Sequence, residues 1–120
     1  MTMKRIFCLM AIVILCTFSL CACSPSEDKA KKTYEDNGYR LYEPGLNMAE
    51  AEGAAEADLE FYFLAIGEQN LYTVYVMGFK DVASAKEFQE KKSKNTAGNF
   101  AVKRRGRVVA FGEADGVSLL

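Results

Sequence analysis

The chain has 120 residues, half of them hydrophobic and about a quarter charged, which favours one globular domain. It contains no histidine, so the commonest general base at neutral pH and the commonest transition-metal ligand are excluded. The net charge is −1, but residues 24–70 carry 11 acidic and 4 basic residues, whereas residues 71–120 carry 9 basic and 5 acidic residues. Such asymmetry is typical of two solvated faces of one domain and can also mark an interaction surface.

The N-terminal segment, residues 1–22, has the pattern of an export signal. Lys4 and Arg5 form a short positive region, and the segment 6–22 carries no charge. This run is short for a permanent spanning helix, which usually needs about 20 apolar residues. All four cysteines lie between Cys8 and Cys23, so the predicted domain has no disulfide framework. An uncleaved signal anchor is the alternative interpretation.

The end of this run, Leu20-Cys21-Ala22-Cys23, resembles the lipobox of bacterial lipoproteins. The lipobox has an aliphatic residue three positions before its cysteine and a small residue directly before it. The resemblance implies that Cys23 carries a diacylglyceryl group, that palmitate is among its acyl chains, and that the signal peptide is cut off before it. Cys21 fits less well, because bulky Leu20 would precede the cleavage bond. The resemblance therefore implies lipid anchoring at the extracytoplasmic face of the cell membrane.

We accordingly predict three segments: a signal peptide over residues 1–22, a lipidated cysteine with a polar tether over residues 23–32, and a small α+β domain over residues 33–120. The tether is highly charged, with Pro25 near its start, and a helix is expected to begin within it. This first helix runs from Lys29 to Asn37 and is stopped by Asn37-Gly38, which tolerate a left-handed C-cap. A short strand over residues 39–42 follows.

A second helix is predicted to begin at Asn47, because Glu50 stands three residues later as a capping box requires. The residues expected on its inner face are Met48, Ala51, Ala54 and Ala55. Residues 60–66 and 71–77 are apolar on both faces, which is typical of central strands covered on two sides, and residues 67–70 join them as a hairpin loop. Asp81 is expected to cap a third helix that extends to Lys94, with Val82, Ala85 and Phe88 on its inner face.

After a turn over residues 95–99, residues 100–102 and 108–111 form a last hairpin around Arg105-Gly106. This turn would pair Arg104 with Arg107, and it would gather Val102, Val109 and the phenylalanines of both strands on one face. The fold class is therefore α+β, a mostly antiparallel sheet of about five strands with two to three helices. A ferredoxin-like arrangement is compatible with this order.

Two further resemblances concern the domain. From Gly38-Tyr39 to Gly112 the chain resembles small uncharacterised lipoproteins of Gram-positive bacteria, and the matching features include Asn37-Gly38-Tyr39, Phe79-Lys80-Asp81 and Gly106-Arg107-Val108-Val109. That resemblance implies no site residues. Residues 74–79 followed by Ala85 resemble the SPOR domain, which would imply peptidoglycan binding, although the small residue expected between Gly78 and Phe79 is missing.

The sequence predicts no catalytic, cofactor-binding or metal-binding residue. The paired carboxylates lie in polar stretches, Gly78 is more typical of a strand that bends or packs closely than of a phosphate loop, and Glu113-Ala114-Asp115-Gly116 is too short for a calcium loop. The enzymatic alternative to a non-enzymatic function is a small envelope hydrolase that uses carboxylate and tyrosine chemistry.

We therefore expect a membrane-anchored, non-enzymatic binding or structural module of the cell envelope. Its expected contact surface is the hairpin tip with Lys103, Arg104, Arg105 and Arg107. The expected partners are the membrane, through the lipid on Cys23, and an anionic envelope polymer, lipid headgroup or protein, but no nucleic acid. Replacing Arg104, Arg105 and Arg107 with alanine is expected to leave the stability nearly unchanged, because an overhanging tip is solvated. The alternative is that an acidic side chain from the first half of the chain pairs with these basic residues.

Overall fold

The computed structural model describes residues 24–67, 73–94 and 98–120. The predicted signal peptide with the lipobox, residues 68–70 of the predicted loop, residues 71–72 of the predicted strand and residues 95–97 of the predicted turn lie outside the described residues. The regular elements, in chain order, are helix α1 (Glu27–Asp36), strand β1 (Arg40–Tyr42), two 3-10 helices (Leu46–Glu52 and Glu56–Asp58), strands β2 (Leu59–Ile66) and β3 (Thr73–Phe79), helix α2 (Val82–Ser93), strands β4 (Phe100–Arg105) and β5 (Val108–Glu113), and the short helix α3 (Ala114–Val117).

The five strands form one sheet in the order β1-β2-β3-β5-β4, and every neighbouring pair is antiparallel. The predicted α+β class with a mostly antiparallel sheet of about five strands is confirmed. Helix α2 connects β3 to β4, which run parallel with β5 between them. A ferredoxin-like sandwich contains two such split βαβ units, and the described chain shares one of them.

Both faces of the sheet are covered, as the apolar character of the central strands predicts. One face packs against α1 and the C-terminal residues, and the other packs against α2 and the 3-10 segment. The first core cluster comprises Ala30, Tyr34, Phe61, Phe63, Ala65, Val74, Val76, Val108, Ala110, Val117 and Leu120. The second comprises Ala49, Ala54, Leu59, Tyr62, Met77, Phe79, Ala85, Phe88, Val109 and Phe111.

Helix α1 begins earlier than residue 29. The Ser26 side chain caps it by accepting a hydrogen bond from the Lys29 backbone N–H at 3.2 Å. Ala30 and Tyr34, four residues apart, are buried against the sheet. Residues 27–32, assigned to the tether from composition, are therefore helical, and packing begins before residue 33. The expected stop is confirmed, since Gly38 has a φ of +85°.

The predicted α-helix from Asn47 is wrong. Residues 46–52 form a 3-10 helix instead, with Gly45 at its N-cap and no side-chain capping bond. Gly53 ends it in the left-handed region at a φ of +91°, before an α-helix of the expected length could form. The change of period from 3.6 to about 3 residues changes the inner face. Ala49 and Ala54 are buried, whereas Met48, Ala51 and Ala55 are exposed.

A bulge in β2 decides which side chains reach which core. Leu59 pairs with Phe79 and Phe61 pairs with Gly78, so Glu60 has no partner in the ladder. Without the bulge, Leu59 and Phe61 would share a face, but they lie in opposite core clusters. The bulge therefore leaves the carboxylate of Glu60 exposed at the end of the sheet where β4 turns into β5.

Helix α2 confirms the predicted cap. The Asp81 carboxylate accepts a hydrogen bond from the Ser84 backbone N–H at 2.7 Å, and this bond lowers the pKa of Asp81. Ala85 and Phe88 are buried as expected. Val82 is 41% exposed, so its expected place on the inner face is wrong. Val82 is the first residue of the helix, directly after the Asp81 cap.

Candidate functional site: a basic cleft beside the last hairpin

The predicted register of the β4–β5 hairpin is wrong by two residues. Arg105 pairs with Val108 and Arg104 pairs with Val109, so the turn consists of Gly106 and Arg107. Gly106 occupies the first turn position with a φ of +60°, as two-residue hairpin turns favour. A shift of two preserves the faces, so Val102 and Phe111 still lie on the α2 side. The predicted repulsion between paired Arg104 and Arg107 does not arise.

The strand alternation divides the predicted basic surface between two faces. The Lys103 ammonium donates a hydrogen bond to the Ser118 carbonyl at 3.2 Å, on the side of α1 and α3. The Arg104 guanidinium lies on the α2 side, where Nε donates to Gln89 Oε1 and Nη1 donates to the Gly106 carbonyl, each at 2.9 Å. Lys103, Arg104 and Arg105 therefore do not converge on one ligand, although all three belong to one strand.

The turn is held by contacts from three distant segments. The Arg107 backbone N–H donates to Ser24 Oγ at 3.1 Å, and the Arg107 carbonyl accepts from the Phe79 N–H at 2.8 Å. The Arg107 side chain lies 3.6 Å from the Glu60 carboxylate. This is an acidic partner from the first half of the chain, one of the alternatives left open by the sequence. Both side chains are about half exposed, so the ion pair contributes little stability.

A cleft of about 510 Å³ lies between α1 and this turn. One wall is a face of α1, and the other is the start of the described chain together with Arg105. The residues that line it are Ser24, Pro25, Ser26, Lys29, Lys32, Thr33, Asp36 and Arg105. Three of them are cationic and one is anionic, so the cleft is basic. The hairpin thus contributes one of its four predicted residues, Arg105, to a basic site that includes two lysines of α1.

Sequence reasoning missed Lys29 and Lys32 as site residues. With Thr33 and Asp36, they follow the spacing i, i+3, i+4 and i+7, which places all four on one side of a helix. This signal is present in the sequence once α1 is known to start at Glu27. The cleft itself depends on a contact between residues 83 positions apart, Ser24 and Arg107, which no local pattern indicates.

A second polar cluster lies on the α2 side of the sheet. The Lys92 ammonium is 3.1 Å from the Glu52 carboxylate and 4.7 Å from the centre of the Phe111 ring. Burial raises the pKa of Tyr62 to about 12, and the charge of Glu52 contributes to this rise. Burial also raises the pKa of Tyr75, which stacks on Phe111 at 4.9 Å. These shifts move the pKa of both hydroxyls further from neutral pH, where a general base would have to work.

Three further acidic residues, Glu27, Glu43 and Glu113, have local structural roles. Glu113 caps α3, since its two carboxylate oxygens accept from the backbone N–H groups of Asp115 and Gly116 at 3.1 and 2.9 Å. Lys31 pairs with Glu43 and Glu27, and the bond to Glu43 raises the pKa of Lys31. Within residues 24–67, 73–94 and 98–120, no three potential ligands gather as a metal site would require. In the same ranges, no helix is long and apolar enough to cross a membrane.

The proposed lipidation site, Cys23, lies outside the described residues, directly before Ser24 in the wall of the cleft. The candidate site is defined by its basic residues, and Ser24 in its wall follows Cys23 directly in the sequence. Comparison with protein-family models, with curated proteins and with solved structures found no match to this chain.

Proposed function

We propose that the protein is a lipoprotein of the cell envelope, anchored to the extracytoplasmic face of the cell membrane through Cys23, and that its domain is a non-enzymatic binding or structural module. The anchor is supported by the lipobox-like sequence, and the hydrogen bond between Ser24 and the backbone of Arg107 bears on how close to that sequence the folded domain begins. The chain joins the domain one residue after the cysteine of the lipobox-like sequence Leu20-Cys21-Ala22-Cys23. An acyl group on Cys23 would therefore hold the hairpin tip close to the membrane.

A binding or structural role fits the way the polar side chains are used. Lys92 is engaged by Glu52 and by the face of Phe111, and Glu113 is engaged as a helix cap. Tyr62 has a pKa of about 12 and keeps its proton at neutral pH. Carboxylate and tyrosine chemistry would need groups poised near neutral pH in an open cleft. The open basic cleft instead offers cations, which favour binding of an anion.

The decisive experiment labels cells with a radioactive or clickable fatty acid. In this proposal the wild-type chain becomes labelled, and its mature N-terminal peptide carries the acyl groups on Cys23. Cys23→Ala should abolish the label and leave an uncleaved precursor. Cys21→Ala is the matched control, because it removes a neighbouring thiol but keeps the proposed site. Normal labelling of the Cys23→Ala variant would overturn the proposal.

A further inference from the structure

We propose that the cleft between α1 and the β4–β5 turn binds the phosphate of anionic phospholipid headgroups in the membrane that holds the anchor. The inference rests on the proposed lipidation of Cys23 and names the ligand of the same region. The residues that would contact the headgroup are Lys29, Lys32 and Arg105. The acceptor is a phosphodiester in the headgroup layer, and the acyl chains of that lipid stay in the bilayer.

The charges of the cleft support an anionic ligand. Lys29, Lys32 and Arg105 have no ion-pair partner among the described residues, whereas Lys31 and Arg107 each have a carboxylate within 4 Å. The one acidic side chain in the lining is Asp36, which leaves an excess of two positive charges. A guanidinium can donate two parallel hydrogen bonds to a phosphate, and the lysines add point charges beside it.

The position of the cleft selects a lipid over other anions. Ser24 forms part of the wall, and the preceding residue would carry the diacylglyceryl group. Ser24 is fixed to the turn by the Arg107 N–H, and a Cβ on Gly106 would overlap Ser24 Oγ, so the start of the described chain packs tightly on the hairpin. An anchor attached there brings the cleft to the level of the headgroups. Near an anionic surface, each basic residue favours the bound state by about fivefold.

The size of the cleft also fits this ligand. Its volume of about 510 Å³ lies within the range of small-molecule sites and exceeds what a phosphate with its glycerol needs. The lining is contributed by exposed or half-buried side chains, so a headgroup can enter laterally without rearrangement of the core. Binding there would orient α1 and the hairpin tip toward the bilayer and the opposite end of the sheet away from it.

The test uses the mature acylated chain in vesicles, with a fluorophore on a single cysteine introduced by Glu35→Cys. Residue 35 is exposed on α1 beside the cleft, and no other cysteine follows Cys23. The vesicles are phosphatidylcholine alone or phosphatidylcholine with phosphatidylglycerol, and a trace lipid carries a quencher on its headgroup. Phosphatidylglycerol should increase the quenching, and added salt should reverse the increase.

The variant K29Q/K32Q/R105Q should lower the ratio of docked to undocked protein by about a hundredfold in the anionic vesicles. The control K80Q/K86Q/K94Q removes the same charge from exposed lysines outside the cleft, and it should retain the quenching. Equal loss in both variants, or no loss in the first, would overturn the inference. So would suppression of the docking, at constant ionic strength, by a soluble anionic wall polymer at concentrations where inorganic phosphate has no effect, because the cleft would then prefer a ligand outside the bilayer.

The mass of the mature N-terminal peptide separates the two proposals. A chain without acyl groups on Cys23 would contradict the proposed function itself. An acylated chain whose quenching does not depend on phosphatidylglycerol would contradict the headgroup site alone.

Discussion

The aromatic ring of Phe61 lies directly over Gly78 of the neighbouring strand. The two residues are paired in the β2–β3 ladder, and a Cβ on Gly78 would lie 2.6 Å from Phe61 Cζ and closer still to two other ring carbons. The sequence-based interpretation of Gly78 as a site of close packing is confirmed. Gly78→Ala should therefore lower the free energy of unfolding by about 1–3 kcal/mol, measured by urea denaturation, because the ring must leave its rotamer or the strands must separate.

The matched control for this prediction is a double-mutant cycle with Phe61→Leu. The smaller side chain loses packing by itself, but it leaves room above residue 78. In that background the additional cost of Gly78→Ala should fall below about 1 kcal/mol. Equal costs of Gly78→Ala in both backgrounds would show that the ring is not the cause.

The hydroxyl of Tyr34 is a second unfavourable feature of the same core. Tyr34 is fully buried between Tyr39 and Phe63, and its hydroxyl has no hydrogen-bond partner among the described residues. Tyr34→Phe should raise the free energy of unfolding by about 1 kcal/mol, because an unsatisfied buried polar group is removed while the ring contacts remain. Tyr42→Phe is the control, since Tyr42 is 57% exposed and should show no change. Destabilisation by Tyr34→Phe would indicate a partner for the hydroxyl.

Alkaline pH should destabilise the domain in a defined window. Burial raises the pKa of Tyr62 to about 12 and raises the pKa of Tyr34 further still, so both keep their protons in the folded state. Tyrosines of the unfolded chain ionise near pH 10, and stability is therefore intact below that pH and falls above it. The free energy of unfolding falls by about 1.4 kcal/mol per pH unit for each tyrosine. The part of this fall that is due to Tyr62 ends near pH 12, where Tyr62 also ionises in the folded state. Tyr62→Phe should make the fall between pH 10 and 12 shallower in thermal melts.

Local patterns predicted the central part of this fold because each pattern had one dominant physical cause. The apolar runs of β2 and β3 require a sheet that is covered on both faces. Asp81 is followed by a single amphipathic segment, so it can only be the N-cap of that helix. The segment after Asn47 was predicted incorrectly, because Gly45 and Gly53 adopt positive φ values that shorten the helix, whereas the capping-box rule considers only Asn47 and Glu50. At Gly106 the rule for two-residue turns allowed two placements, and the chosen turn began one residue too early, which shifted the strand pairing by two residues.

The basic site was predicted only in part for a related reason. Proximity along β4 suggested that Lys103, Arg104 and Arg105 act together, but strand alternation sends Arg104 to the opposite face. The lysines of α1 join Arg105 through tertiary packing, because Ala30 and Tyr34 of the same helix are buried against the sheet. A site built from side chains of one strand can be predicted from the sequence only if those side chains stand two residues apart, so that they lie on the same face of the sheet.

Replacing Arg104 should consequently reduce the stability of the domain more than replacing its neighbour Arg105. Arg104 is partly buried and donates to Gln89 and to the Gly106 carbonyl, so Arg104→Ala should lower the free energy of unfolding by about 1–2 kcal/mol. Arg105 is exposed in the cleft, and Arg105→Ala should change stability by less than about 0.5 kcal/mol. The sequence-based expectation that replacing Arg104, Arg105 and Arg107 together leaves stability unchanged is thereby revised.

Thermal melts of the single variants test this difference. Gln89→Ala serves as the control for the partner of Arg104, because it should reproduce part of the Arg104→Ala loss and add little to that loss in the double variant. Equal stability of the Arg104→Ala and Arg105→Ala variants would mean that the hydrogen bonds of Arg104 contribute nothing, and that its side chain is as free to bind a ligand as that of Arg105.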